Sequence, residues 1–211
     1  FDGVLVDSEM LVARSFSKYL GKRNINFTEE EFSVYAGKKT VQVIGELSKK
    51  FSIQNKEEFF EDIMSIANDI YSQELTAVNG AKVFLEQNYY NFLIGSNSVR
   101  KRILFGLEKV EFENFFDFNK VFSFDMVEKP KPQPDIYLAA INAHKLDKKE
   151  TVVIEDSAIG VQAGVAAGVK VIGLTAGGHW YADRSTKELL DAGAVVFANS
   201  YDALLKEIKK L

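Results

Sequence analysis

Carboxylate, hydroxyl and amine side chains occur in four short segments that each follow a predicted strand. Asp2 lies in the first segment, Ser96 in the second and Lys131 in the third, and the fourth contains the adjacent acids Glu155 and Asp156. Because parallel strands end at one edge of a sheet, we expect these side chains to line one crevice. Carboxylates bind a hard cation such as Mg²⁺, while a lysine and a hydroxyl bind phosphate oxygens. The sequence therefore predicts a site for a phosphate group and Mg²⁺.

The first nine residues, Phe-Asp-Gly-Val-Leu-Val-Asp-Ser-Glu, match the end of an Asp-x-Asp-Gly-x-Leu-x-Asp-Ser-Glu loop. An aspartate at the end of a buried strand, with a second acid two residues later, suits a nucleophile and its proton donor. Asp2 is the second acid of this pattern, and the expected nucleophile is the aspartate directly before Phe1, outside this sequence. Asp7 and Ser8 are expected to cap the following helix in preference to contacting a ligand.

Short apolar strands alternate with helices from about Val78 to the end of the chain. The predicted strands are 92–94, 121–124, 151–154, 169–174 and 195–197, and the predicted helices are 80–87, 98–107, 134–143, 158–167, 186–192 and 201–209. This alternation predicts an α/β protein with a Rossmann-like, doubly wound parallel sheet, whose central first strand lies mostly before residue 1. Gly160, Gly164 and Gly168 are expected to let one helix approach the sheet closely.

From about Leu11 to Ala77, apolar residues instead recur at three- and four-residue spacing, which is typical of amphipathic helices. Breaks near residues 24–26, at Gly37 and around Asn55 predict about four helices. Because the stub at residues 4–6 leads out of the first strand directly into this helical segment, the segment is expected to be an insertion near the start of the α/β core. The predicted domains are an α/β core of residues 1–8 and 78–211 and a helical insert of residues 9–77.

The composition excludes several classes of function. The chain has 211 residues, 46% of them hydrophobic and 27% charged, as in an ordinary globular protein. Its net charge of −4 argues against a nucleic-acid partner, because such binding requires an excess of basic residues. No run of about 18 apolar residues is present, so no membrane span is expected. The lack of cysteine excludes thiolate chemistry and fits a cytoplasmic location. We expect a monomer or a weak dimer.

The four segments, in this order, resemble the four motifs of the haloacid dehalogenase superfamily, and the helical insert resembles the small α-helical cap of that family. The resemblance covers essentially the whole chain and implies a phosphatase that uses Mg²⁺ and forms an aspartyl-phosphate on the aspartate ahead of the chain. Asp2 would be the general acid and base, and its backbone carbonyl would reach Mg²⁺. Ser96 would hydrogen-bond the phosphoryl group, and Lys131 would neutralise it together with the nucleophile. Asp156 would bind Mg²⁺, with Glu155 alongside directly or through water.

The acid in the first segment argues against two other reactions of this family, because its dehalogenases and phosphonatases lack an acid there. Hydrolysis of a phosphate ester and a β-phosphoglucomutase-like reaction remain. The mutases usually bind a second phosphate through a cap arginine, whereas the matching loop here carries Lys38 and Lys39, which favours hydrolysis. We expect Gly37, Lys38, Lys39 and Asn97 to contact a small sugar phosphate or sugar-acid phosphate, although a solvated surface explains the two lysines equally well. Residues 71–80 and the Gly37 loop resemble the 6-phosphogluconate phosphatases of the family.

Other residues and functions keep structural or non-catalytic alternatives. Lys129 also precedes a proline and is a rival for the role of Lys131, and Ser96 taken alone suits a helix N-cap. His179 either lines the predicted crevice or packs a loop. A phosphate-accepting receiver domain has similar side chains at its strand ends, but such domains are much shorter and lack an insert. A catalytically inactive relative of the family is the more serious alternative.

Overall fold

The computed structural model of this protein describes residues 1–35, 40–180 and 184–211. Its parallel strands and its helices confirm the predicted α/β class. Within these ranges, none of the helices combines the length and the apolar character needed to cross a membrane. The α-helices are α1 (Glu9–Gly21), α2 (Glu29–Phe32), α3 (Thr40–Phe51), α4 (Lys56–Glu74), α5 (Ala81–Gln87), α6 (Arg100–Lys109), α7 (Asp135–His144), α8 (Ala158–Ala167), α9 (Lys187–Asp191) and α10 (Tyr201–Ile208). The strands are β1 (Ile94–Ser96), β2 (Val121–Ser123), β3 (Val152–Glu155), β4 (Lys170–Leu174) and β5 (Val196–Ala198).

The described chain divides into two compact units. The first comprises Phe1–Asp7 and Thr76–Leu211, and the second comprises Ser8–Leu75. Helices α1 to α4 form the second unit, and aromatic rings fill its core. Tyr19 stacks on Phe59 with ring centroids 4.3 Å apart, and Phe16 meets the same ring edge-on at 6.0 Å. Because Phe16 and Tyr19 are three residues apart on α1, they share one face of the helix, as the apolar periodicity predicts.

The strands of the first unit form two parallel sheets, β1–β2 and β3–β4–β5. The pairing of β1 runs from Ile94 opposite Val121 to Ser96 opposite Ser123. The predicted bounds of this strand, 92–94, are therefore wrong. The apolar run at residues 92–94 favoured the predicted bounds, whereas pairing with β2 decides which residues form the strand.

Helix α8 lies close against the sheet, as its glycine spacing predicts. A Cβ atom added to Gly164 would come within 2.6 Å of Val171 Cγ2 on β4, so a larger residue would push the helix away. Gly168 follows the helix with φ +81°, a left-handed conformation that glycine adopts without strain. The close approach keeps the start of α8 next to the end of β3.

Residues 1–6 form a tight turn, with a β-bridge between Asp2 and Val6. The Gly3 N–H donates to Val6 O at 2.8 Å, and the Leu5 N–H donates to Phe1 O at 2.8 Å. Gly3 has φ +69°, which favours glycine at this point of the turn. The turn carries Asp2 at the edge of the first unit's core, where the side chain of Phe1 is buried.

A largely apolar cavity of about 340 Å³ is lined by residues of both sheets and by the turn at the start of the chain. Its lining includes Phe1, Leu5, Ile94, Val153 and Tyr201. The expected position of the first strand of the doubly wound sheet stays a prediction.

Candidate active site

The predicted catalytic residues belong to the first unit and lie at strand ends or in adjoining loops. Ser96 is the last residue of β1, Glu155 is the last residue of β3, and Asp156 follows directly. Lys131 lies in the loop before α7, and Asp2 lies in the turn at the start of the chain. The carboxyl ends of parallel strands are where α/β sheets bind ligands.

Hydrogen bonds connect Asp2 to the residues that follow β1. Ser98 Oγ donates to Asp2 Oδ2 at 2.7 Å, and the Ser98 backbone N–H donates to Ser96 Oγ at 3.0 Å. Because the Ser96 oxygen accepts this bond, the hydroxyl hydrogen can be donated to another acceptor. Val99 is the N-cap residue of α6, so Ser96 does not have the capping role that was its structural alternative.

Lys131 is buried in the site. Its side chain is 7% exposed, and Nζ donates to Gly95 O at 2.9 Å and pairs with the Glu155 carboxylate. Asn97 holds the backbone of the same loop, because the Lys131 N–H donates to Asn97 Oδ1 at 2.9 Å and Asn97 Nδ2 donates to Lys131 O at 3.2 Å. Lys129 is exposed. The structure therefore brings Lys131 to the predicted site and leaves Lys129 at the surface.

The Glu155 carboxylate is bound by its neighbours in the protein. It accepts hydrogen bonds from Lys131 Nζ and the Tyr137 hydroxyl, and from Ser157 Oγ at 3.3 Å. Burial by itself would raise the pKa of Glu155, but the charge of Lys131, together with the hydrogen bonds from Lys131 and Tyr137, lowers that pKa below its ordinary value. A Cβ atom on Gly160 would overlap the carboxylate, so the third residue of α8 must be a glycine. In this arrangement Glu155 holds Lys131, and its contact with Mg²⁺ stays a prediction.

Tyr137 supports the same ion pair. Burial raises the pKa of its hydroxyl well above the ordinary value, and the Glu155 carboxylate acts in the same direction. The hydroxyl therefore remains protonated and donates to Glu155. The Tyr137 ring also lies 4.8 Å from Lys131 Nζ, at the distance of a cation–π contact.

Asp156 lies against the turn that carries Asp2. A Cβ atom on Gly3 would overlap Asp156 Oδ2 and come within 2.8 Å of His179 Cε1. The His179 Nε2 atom lies 3.1 Å from Asp156 Oδ2, and both side chains are buried. The absence of a side chain at Gly3 thus allows Asp156 to reach the backbone next to Asp2.

Asp7 binds a loop of the first unit that is distant in sequence. Both of its carboxylate oxygens lie 3.1 Å from the Gly178 nitrogen, whose N–H they accept. Ser8 occupies the N-cap position of α1, but its side chain makes no capping hydrogen bond. The predicted capping role of these two residues is therefore wrong. A backbone N–H brought close by the fold binds Asp7 instead.

The donors at the strand ends fit Mg²⁺. Asp2 and Asp156 offer carboxylate and carbonyl oxygens, and Mg²⁺ usually takes one or two carboxylates together with waters and substrate phosphate. Across residues 1–35, 40–180 and 184–211, no three His, Cys, Asp or Glu side chains are grouped so that they could hold a metal ion by themselves. The arrangement suits a cation that is shared with a phosphate substrate.

Ser98 and Tyr137 also lie in the site, where their hydroxyls donate to Asp2 and Glu155, although their sequence positions predicted no role for either. Each lies inside a motif, Ser98 two residues after Ser96 and Tyr137 six residues after Lys131. Motif position was the available signal, but only the fold shows what each hydroxyl contacts. The predicted substrate contacts Gly37, Lys38 and Lys39 lie outside the described residues.

Comparison with protein families gives a match over most of the chain. The model of haloacid dehalogenase-like hydrolases matches residues 1–174. The chain is 28% identical to a phosphorylated carbohydrates phosphatase of Thermotoga maritima, over 98% of this chain and 96% of that protein. It is 25% identical to a 6-phosphogluconate phosphatase of Escherichia coli, over 84% of this chain and 81% of that protein.

Solved structures show the same architecture. A conserved haloacid dehalogenase-like protein of unknown function from Agrobacterium tumefaciens has a TM-score of 0.88 and 28% identity, covering 99% of this chain and 95% of that chain. A haloacid dehalogenase family hydrolase from Deinococcus radiodurans, solved with bound phosphate and sodium, has a TM-score of 0.85 and 28% identity, covering 100% of this chain and 94% of that chain. These similarities extend over both units of the chain.

Proposed function

This chain belongs to the haloacid dehalogenase-like hydrolase family, and from that premise we propose that it is a Mg²⁺-dependent phosphatase of a small sugar phosphate or sugar-acid phosphate. The observation that carries the proposal is the contact series at the ends of β1 and β3. The hydroxyl of Ser98, which follows β1, donates to the Asp2 carboxylate. Lys131 Nζ donates to Gly95 O, and Asp156 packs against Gly3. Two acids are thereby held at the turn of residues 1–6, and an amine is held at the end of β1. The names of the Thermotoga and Escherichia relatives support a phosphorylated carbohydrate as substrate.

The first step transfers the phosphoryl group to the protein. The nucleophile in this proposal is the aspartate that the first motif places directly before Phe1. Its carboxylate attacks phosphorus, the bond between phosphorus and the sugar oxygen breaks, and Asp2 gives its proton to that oxygen. The Ser98 hydroxyl fixes the orientation of the Asp2 carboxylate for this transfer.

Side chains held in the site offset the negative charge of the phosphate and of the attacking carboxylate. Lys131 offsets the negative charge that accumulates when a carboxylate and a phosphate meet, and Glu155 with Tyr137 prevents the lysine from turning to solvent. Ser96 donates its hydroxyl hydrogen to a phosphoryl oxygen. The backbone carbonyl of Asp2 and the carboxylate of Asp156 would hold Mg²⁺, which would further neutralise the phosphoryl oxygens.

The second step returns the protein to its starting state. A water molecule attacks phosphorus while Asp2 takes one of its protons. The bond between phosphorus and the aspartate oxygen then breaks, phosphate leaves, and Asp2 is again protonated for the next substrate. The same side chain therefore acts first as an acid and then as a base.

Substrate selection is assigned to the second unit, Ser8–Leu75, which we propose is the cap of the enzyme. Its loop at Gly37, Lys38 and Lys39 would contact the polar end of the sugar. Lysines bind a phosphate or carboxylate as point charges, without the two-pronged geometry of arginine, and this favours hydrolysis over a mutase reaction that must hold a second phosphate.

Phosphate release from a panel of phosphomonoesters tests the proposal. The protein is assayed with the motif aspartate present ahead of Phe1, once with Mg²⁺ and once with EDTA. We expect metal-dependent release, fastest with sugar phosphates or sugar-acid phosphates. Interconversion of sugar 1- and 6-phosphates without release would establish the mutase instead, and neither activity would identify an inactive relative.

A further inference from the structure

Among the residues that the structure describes, the buried ring of His179 has one polar contact. Its Nε2 lies 3.1 Å from Asp156 Oδ2, and within the described residues Nδ1 has no hydrogen-bond partner. A carboxylate oxygen only accepts, so Nε2 must carry the hydrogen of this bond. His179 takes no part in the proposed phosphoryl transfer, although it binds a residue proposed to hold Mg²⁺.

The backbone around the ring is shaped to hold it. A Cβ atom on Gly177 would come within 2.9 Å of both His179 Nδ1 and Gly3 O, and a Cβ atom on Gly3 would also meet the ring. The Asp7 carboxylate accepts a hydrogen bond from the neighbouring Gly178 N–H. Arg184 Nη1 donates to His179 O at 3.4 Å. The ring thus has little freedom to turn away from Asp156.

We propose that His179 is a positioning residue for the metal site, which donates Nε2–H to Asp156 Oδ2 and so presents the other carboxylate oxygen to the cation. The inference rests on the proposed function, because it assumes that Asp156 binds Mg²⁺. Asp156 Oδ2 is packed against Gly3 and bonded to His179, so Oδ1 is the oxygen left for a cation. Hydrogen bonds of this kind fix the orientation of a metal-binding carboxylate and raise the affinity of the site.

Two amide substitutions separate positioning from packing. In His179→Gln the side-chain nitrogen can reach the place of Nε2, whereas in His179→Asn the chain is one methylene shorter and the donor cannot reach Asp156. The matched control is His144→Asn, because His144 is the other histidine of the chain and its Nε2 contacts Asn119 O at 3.0 Å, apart from the site. With the motif aspartate present ahead of Phe1, each folded variant is titrated with Mn²⁺ at one fixed concentration of inorganic phosphate, and free Mn²⁺ is measured by electron paramagnetic resonance.

We expect His179→Asn to weaken Mn²⁺ binding by about tenfold or more, while His179→Gln stays within about threefold of the wild type. His144→Asn should bind as the wild type does. Equal affinity in His179→Asn and the wild type, or equal loss in the Asn and Gln variants, would overturn the inference, as would a wild type that binds no Mn²⁺.

A second measurement needs no variant. Long-range ¹⁵N–¹H spectra of the wild type should show the His179 ring hydrogen on Nε2, with the His144 signals as the internal reference, and a ring protonated only on Nδ1 would reject the proposal. The phosphate-release assay tests the proposed function separately. A wild type that hydrolyses esters while His179→Asn keeps full Mn²⁺ affinity would retain the function and reject the role of His179.

Discussion

Replacing Gly160 by alanine tests whether Glu155 positions Lys131. The added Cβ atom would lie closer than 3.0 Å to all three outer atoms of the Glu155 carboxyl group, and ordinary contact begins at 3.4 Å. The carboxylate must therefore retreat by on the order of 1 Å, which is a large displacement in a close-packed interior. Because Lys131 and Tyr137 both donate to this carboxylate, the lysine either moves with it or loses its partner.

The expected losses follow from that displacement. A misplacement of about 1 Å at a positioned catalytic group costs about 100-fold in rate, equivalent to about 2.7 kcal/mol of transition-state stabilisation. Breaking a buried ion pair costs about 3 to 5 kcal/mol of folding free energy, and replacing a helical glycine by alanine returns about 1 kcal/mol. The Gly160→Ala protein should thus lose about 2 to 4 kcal/mol of stability.

Gly164→Ala is the matched control, because it makes the same change in the same helix. Its Cβ atom would lie 2.6 Å from Val171 Cγ2, so it repacks an aliphatic side chain and does not touch Glu155. We expect a stability loss of about 1 to 3 kcal/mol with kcat close to that of the wild type. Unfolding is followed by fluorescence of Trp180, the single tryptophan of the chain, which lies in the first unit. Equal kcat values for the two variants would refute the link from Gly160 through Glu155 to Lys131.

Three further substitutions test single contacts. Asp2→Asn should lower kcat by about 10²- to 10⁴-fold with little change in stability, because it removes the proposed acid and base but keeps the side-chain shape; phosphate release and thermal melting measure the two effects, and an active variant would exclude the role of Asp2. Tyr137→Phe should cost about 1.5 to 3 kcal/mol in urea unfolding, because the charged Glu155 loses a buried donor while the ring contact with Lys131 is kept; an unchanged midpoint would contradict this. Burial raises the pKa of Tyr201 above its ordinary value of 10.0, so the folded state keeps a proton that the unfolded state loses, and stability falls as the pH rises above that value. Tyr201→Phe should cost about 1 kcal/mol at neutral pH, because the buried Val4 carbonyl loses its 2.6 Å partner. Its stability should also decline less than that of the wild type between about pH 9 and about pH 11, and equal slopes of the unfolding midpoint against pH would argue against this titration.

The sequence alone determined the class of fold and the residue types of the site. Alternation of apolar runs with helical periodicity is local, so it indicated an α/β chain and the four helices of the second unit without knowledge of contacts. The order of the four segments placed Asp2, Ser96, Lys131 and Asp156 at strand ends, and the fold brings them to the ends of β1 and β3 and into adjoining loops. The glycine spacing in α8 likewise predicted a close approach to the sheet.

Only the tertiary structure decided which polar groups bind each other. Glu155 pairs with the distant residues Lys131 and Tyr137. Asp7 binds the Gly178 N–H, and Asp156 contacts His179. No periodicity encodes these pairs, because hydrogen bonds join groups far apart in sequence and depend on distances of about 3 Å between atoms. The bounds of β1 were decided in the same way, by the backbone partners that β2 offers. Local patterns fix what a residue can do, and the packed fold fixes what it contacts.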